Sequence, residues 1–207
     1  MSQVKTIAAA RLVGGHPALD FVNTVDAWRD RWGPDLLVSY GDLVTWALRV
    51  DLVDSALSVR LLHRADTEPA VAEAALLRAR TLRVTLRNLF LAEALGETGS
   101  EEDAARLDAV LQDANRQREL RLITGTFEWG WRDDNDLDTV LHRIAFAAAE
   151  LLTSRNDRRD VRECHGINCG WLFLDTSRGG RRQWCSEEAC GTHMRVRRFR
   201  EKGSPAA

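Results

Sequence analysis

Most of the chain carries apolar positions at a helical period. Ala18, Leu19, Phe21, Val22 and Val25 follow Pro17 and run toward Trp28, so a helix opening at Pro17 is expected there. Gly33-Pro34 breaks it. Ser39-x-x-Asp42 has the arrangement of an N-cap before Leu43, Val44, Trp46, Ala47 and Leu48. A short helix from about Asp54 to His63 puts Leu57, Leu61 and Leu62 on one side. Thr67-Glu68-Pro69 starts a long helix that Gly96 closes after Leu95, and its apolar residues, from Ala72 through Leu82 to Phe90, suit the centre of a core. Ser100 opens another helix, with Leu107, Val110 and Leu111 apolar.

Between residues 119 and 132 the period changes to two. Leu120, Leu122 and Thr124 alternate with Arg121 and Ile123; across Gly125, Phe127, Trp129 and Trp131 alternate again. That predicts a β-hairpin, the only one in the body. A helical stripe returns from Asn135 through Leu137, Leu141, Ile144, Ala148 and Leu152. The polar run from Ser154 to Asp160 is the natural boundary before a small C-terminal module. There Trp171, Phe173 and Asp175 alternate with Leu172 and Leu174 as one strand of a small hairpin whose turn is Thr176–Gly180, with Arg181, Arg182 and Trp184 leading on. From Thr192 the sequence favours a helix as far as Gly203. The expected fold is mainly α: a multihelical body with one hairpin over residues 1–155, and a treble-clef-like or ribbon-like module over 158–203.

The module is defined by cysteine. The chain has 4, spaced Cys164-x4-Cys169-x15-Cys185-x4-Cys190. Two clips of two thiolates, joined by a spacer long enough to fold back, are what a closed tetrahedral zinc site needs. Gly166 and Asn168 lie inside the first clip, and Gly170 and Gly191 follow Cys169 and Cys190, where a knuckle calls for positive φ. Two disulfides would use the same residues, but the start of the chain has no apolar run of a secretory leader, so a cytoplasmic setting and a metal are expected. Four thiolates leave no open position for a catalytic zinc, and His165 and His193 are alternative ligands only by proximity.

Composition alters the picture once charge is divided. The 207 residues are 44% hydrophobic and 29% charged, as in a folded soluble protein, and no run approaches a membrane span. The net charge of −2 hides an asymmetry. Residues 158–202 hold 11 Arg and Lys against 6 Asp and Glu, leaving 18 against 25 elsewhere. A basic metal-binding tail on an acidic body suits a tail that meets a polyanion.

The tail, Cys164-HGIN-Cys169-GWLFLDTSRGGRRQW-Cys185-SEEA-Cys190-GTHMRVRRFR, resembles the CGNR-type zinc finger: paired cysteines, an aromatic strand W-x-F-x-D-x-S, an R-R-x-W-C-S segment and a basic helix fall in register. The body is similar to the ABATE domain that usually precedes this finger, with "ALDFVNT" at Ala18–Thr24 as its marker. The resemblance implies a transcriptional regulator linked to stress, whose finger, with one structural zinc, binds DNA and whose body senses a small ligand. The family's Asn-Arg after Cys-Gly is Thr192-His193 here. Thr can cap a helix as Asn does, whereas His lacks the bidentate fork of Arg, which puts the family's sequence preference in doubt.

The residues expected on DNA are Arg178, Arg181 and Arg182 from the spacer and His193, Arg195, Arg197, Arg198, Arg200 and Lys202 from the last helix, with Phe199 as an apolar anchor. Arg181 or Arg182 could instead pair with the acidic body, and Trp171 or Trp184 could stack on bases or form the module's core. Asn23 is the candidate ligand contact; the competing reading is that Asn23 and Thr24 satisfy backbone groups where a helix packs. Trp28, Trp32, Trp46, Trp129 and Trp131 could line a cleft or belong to the core. His16 near Asp20 and His142 near Asp138 are single helical pairs, and no phosphate loop or nucleophile motif is present, so no enzyme is expected. The expected partners are duplex DNA, a small-molecule effector and a second copy of the chain, with no membrane. The alternative is a dimeric scaffold whose finger contacts a protein or RNA.

Overall fold

A computed structural model describes residues 5–29, 33–132 and 136–203, with the Lys202 side chain outside the described part; Trp32 and Asn135 also lie outside it. The helices of the body are α1 (Pro17–Val22), α2 (Tyr40–Arg49), α3 (Ser55–Thr67), α4 (Pro69–Leu95), α5 (Glu101–Arg116) and α6 (Thr139–Thr153). Local chemistry sets their ends. Ser39 and Asp42 form a complete capping box on α2, Asp54 caps α3 and Ser100 caps α5. Gly96 closes α4 in the left-handed conformation at φ 73°.

Helix α4 is the spine. Ala72, Ala75, Leu76, Ala79, Leu82, Leu86, Leu89 and Phe90 are buried along it, and α1, α2, α5 and α6 pack around it and one another. Trp46 and Phe21 meet in this core with ring centroids 5.1 Å apart. Inside it lies an ion pair: Arg83, 1% exposed, binds Asp35 at 2.5 Å and donates to Thr24 Oγ1 at 2.8 Å. Burial alone would raise the Asp35 pKa, but the hydrogen bonds and charge of Arg83 hold it below the usual carboxylate value.

Helix α1 is shorter than expected. It stops at Val22, capped by Asn23, and Val25 bridges to Asp35 in extended form instead of continuing toward Trp28. The polar residues Asn23 and Thr24 have partners outside the helix, described below, and these outweigh the apolar periodicity.

The hairpin appears where the period of two placed it. Strand β1 (Arg118–Ile123) pairs antiparallel with β2 (Thr126–Trp131), setting Leu120 opposite Trp129 and Leu122 opposite Phe127. Thr124 and Gly125, at φ 49° and 87°, make the two-residue turn with both centres left-handed that matches strand twist.

The second hairpin is built differently from its expectation. Strand β4 (Leu172–Leu174) pairs with β3 (Val161–Glu163), which lies before the first cysteine, and not with the segment after Gly180. The turn Thr176–Gly180 belongs to a loop organised by Asp175. That carboxylate, 1% exposed, accepts from Ser177 N at 3.0 Å, Ser177 Oγ at 2.5 Å and Arg182 N at 3.0 Å, and pairs with Arg162 at 3.1 Å. Burial would raise the Asp175 pKa, and those hydrogen bonds hold it down.

The candidate zinc centre and its basic helix

Hairpin β3–β4 carries the first cysteine clip at its tip. Cys164 N donates to Trp171 O at 2.7 Å and Cys169 N to Gly166 O at 3.1 Å, so residues 164–171 form a tight knuckle. Asn168 and Gly170 turn it at φ 61° and 64°. Gly166 serves by size alone, since a Cβ there would stand 2.9 Å from Cys190 Sγ. Gly191, expected to need positive φ, does not; its missing Cβ instead leaves room for the Glu187 carboxylate, 2.7 Å away.

Cys185 and Cys190 bracket the start of the last helical segment. Ser186 caps it by accepting from Ala189 N, a π-turn spans Glu187–Gly191, and α7 (Thr192–Gly203) continues from it. Thr192 is therefore not a cap, because it already has helical φ and ψ and its hydroxyl donates back to Glu187 O. Delivery of the second ligand pair at the head of a helix is the treble-clef arrangement.

The four sulfurs converge. All their Sγ atoms lie within 4.8 Å of one another, with Cys169–Cys185 at 3.7 Å and Cys185–Cys190 at 3.6 Å. A tetrahedral zinc with Zn–S bonds of about 2.3 Å holds its sulfurs roughly 3.8 Å apart, whereas a disulfide needs about 2 Å. Gly166 N and Cys185 N point at Cys164 Sγ from 3.4 and 3.2 Å, the amide support that a metal-bound thiolate requires. Packed this closely, the sulfurs cannot hold independent protons. Hydrogen bonding from Cys169, Cys185 and Cys190 pushes Cys164 down, and hydrogen bonding with Cys164, Cys185 and Cys190 pushes Cys169 up. A divalent cation taking all four as thiolates resolves that conflict. The four cysteines hold one structural zinc. His165 is outside the set, its ring edge against Trp184.

The centre is joined to the body by polar contacts that sequence reasoning placed elsewhere. Asn23, the expected ligand contact, is engaged by the fold itself: Nδ2 donates to Leu172 O at 2.8 Å and Oδ1 accepts from Leu172 N at 2.9 Å. It is 3% exposed and acts as a one-residue strand beside β4. Thr24 donates to Phe21 O, so both residues of the marker satisfy their surroundings. Trp171 Nε1 donates to Val25 O at 2.8 Å, Trp28 N to Cys169 O at 2.9 Å and Leu174 N to Gly14 O at 2.8 Å. Glu163 receives Arg29 at 2.5 Å and Arg87 at 2.8 Å. Val161 and Leu172 are members of the body's own core. The described tryptophans do not gather in a cleft either. Trp46 is core, Trp28 donates to Val22 O, Trp131 packs on Phe146, and Trp129 is 64% exposed.

The expected DNA-contacting cations divide into three groups. Arg182 is structural: its guanidinium donates to Trp184 O, Leu174 O and Cys185 O and stacks over Phe173 at 4.3 Å. Arg195 pairs with Glu187, and Arg197 with Glu201 at 2.6 Å. Arg178, Arg181, Arg198 and Arg200 are exposed, and their guanidinium groups have no partner among the described residues. His193 is also exposed, and from Arg195 to Glu201 every residue of α7 faces solvent. Phe199, the expected apolar anchor, is 81% exposed.

Two family models match the chain: "CGNR zinc finger" over residues 161–203, and ABATE, "Putative stress-induced transcription regulator", over residues 15–155. Among curated proteins, none matches the chain. Among the described residues, no helix is long and apolar enough to cross a membrane. With most of its length matched by the second model and its four-cysteine centre lying within the first, the chain belongs to the ABATE family and carries a CGNR zinc finger.

Proposed function

We propose that the protein is a DNA-binding transcription regulator in which the zinc centre presents α7 to duplex DNA. The observation that carries this reading is the helix itself. Seven consecutive residues, Arg195–Glu201, are exposed on all faces, and four of them are arginine. Over these residues the helix has no packed face to stabilise it, and its arginines suit a polyanionic partner. The B-form major groove, about 12 Å wide, accepts a helix with phosphates on both walls, which matches cations on opposite sides. The exposed Phe199 ring supplies an apolar contact for a thymine methyl group on the groove floor.

Fluorescence anisotropy of a labelled mixed-sequence duplex across a salt series tests the reading. If Arg178, Arg181, Arg198 and Arg200 each meet a phosphate, log affinity falls against log salt with a slope of about −3.6. The double variant Arg198→Ala/Arg200→Ala should reduce it to about −1.8. No binding at low salt, or binding indifferent to salt, contradicts the reading.

The sensing half of the reading is supported by a cavity of about 420 Å³ between the end of α4 and the finger, lined by residues that include Arg29, Arg162, Glu163, His165 and Arg181. Arginines outnumber acids there, which suits a small anion. A rise in melting temperature with millimolar phosphate that is lost in Arg181→Ala would support this effector site; no rise would remove it.

A further inference from the structure

The hairpin β1–β2 shows water an unusual surface. Because directly opposite residues share a face, Leu120, Leu122, Phe127 and Trp129 lie together on one side of it. They are 56, 64, 67 and 64% exposed. The only charged group in that row is Arg118 at the body end, where it stacks on Trp129, Trp131 and the α6 residue Phe146 at 4.5–5.6 Å. The charges of the hairpin, Glu119, Arg121 and Glu128, fall on the other side, with Arg121 bound to Glu119 at 2.6 Å. A two-stranded hairpin with a bare apolar face is marginal in water and needs a further layer.

We propose that this face is the interface of a homodimer, formed by the hairpin of one protomer packing on the hairpin of a second copy. Area and charge select a second copy. An aromatic side chain carries roughly 150–250 Å² of surface, so the four side chains at these exposures leave on the order of 500 Å² per protomer. Two such faces covering each other remove about 1,000 Å², the size at which a specific interface begins. A patch of about 500 Å² is also near the upper end of what monomers leave uncovered. The row also offers no carboxylate and no unengaged cation to a charged partner, whereas leucines along one strand beside aromatics along the other can cover their own copy under a two-fold axis. The two-fold would give each dimer two basic helices, the arrangement that palindromic DNA half-sites require. That consequence rests on the DNA reading; the dimer does not.

The test is the mass of the zinc-loaded protein without DNA, measured by size-exclusion chromatography with light scattering across micromolar concentrations. The wild type should run at twice its 23.3 kDa chain mass. Phe127→Asp and, separately, Trp129→Lys should run at the chain mass, with zinc content and far-ultraviolet circular dichroism unchanged. Val59→Asp, a charge placed on an exposed residue of α3, should leave the dimer intact. Raising salt should not dissociate it, which separates this contact from DNA binding. A wild type that stays monomeric at the highest concentration overturns the proposal and leaves the face to a different kind of partner. So does a dimer that survives both hairpin variants.

Discussion

Each polar residue of Ala18–Thr24 has a different partner. Asp20 accepts from Gly14 N at 2.8 Å, Asn23 clamps Leu172, and Thr24 serves Phe21 and Arg83. Asn23→Ala would strand the Leu172 amide and carbonyl in a dry site. Each unsatisfied group costs about 1–3 kcal/mol, so a loss of about 2–6 kcal/mol in urea unfolding is expected; a loss under about 1 kcal/mol would contradict the clamp. Asp20 makes a second prediction. Burial pushes its carboxyl up to about 6, against 3.8 unfolded, although hydrogen bonds from Gly14 and Val13 and the charge of Arg49 pull the other way. A raised acid costs stability in its ionised form, so its contribution declines as pH rises from about 4 to about 6 and stays low above that. The rise from 3.8 to about 6 corresponds to about 3 kcal/mol. Asp20→Asn keeps a carbonyl acceptor for Gly14 and should remove that decline, raising stability at neutral pH. A wild-type-minus-variant difference that is flat across the window would contradict it.

Elements were legible wherever a local signal governed them. The capping box at Ser39, the Pro69 start and Gly96 stop of α4, and the hairpin break at Gly125 are short-range chemistry, and the structure follows them. The four cysteines were legible for the same reason, because their spacing states the geometry. What failed was decided by sequence-distant partners. Helix α1 stops at Val22 because Asn23 reaches 149 residues along the chain to Leu172. Strand β4 chose β3 because the knuckle between them brings the two together. Arg182 read as a surface cation and proved to hold three carbonyls of the finger. A basic run does not show which of its members are engaged; only the carbonyls opposite do. Arg182→Ala should accordingly lower finger stability by about 2–3 kcal/mol, as loss of charged hydrogen bonds does, while Arg198→Ala and Arg200→Ala leave stability unchanged and weaken DNA binding. Equal stability loss in all three would contradict that division.

At the scale of the molecule, the finger is not a bead on a string. Val161 and Leu172 sit in the body's core, and Arg158 binds Glu93 at 2.8 Å beside the boundary. A structural zinc of this kind contributes on the order of 10 kcal/mol to folding. Chelation should therefore lower the melting temperature of the helical body as well as unfold the finger. A calorimetric body transition untouched by chelator would contradict the shared core.

The most direct test of the central claim is hydrogen–deuterium exchange of the zinc-loaded protein with and without duplex DNA. Added protection should be concentrated in Thr192–Gly203 and in the Thr176–Arg181 loop, with Arg118–Trp131 unchanged. Protection absent from α7, or appearing chiefly on the body helices, would contradict it.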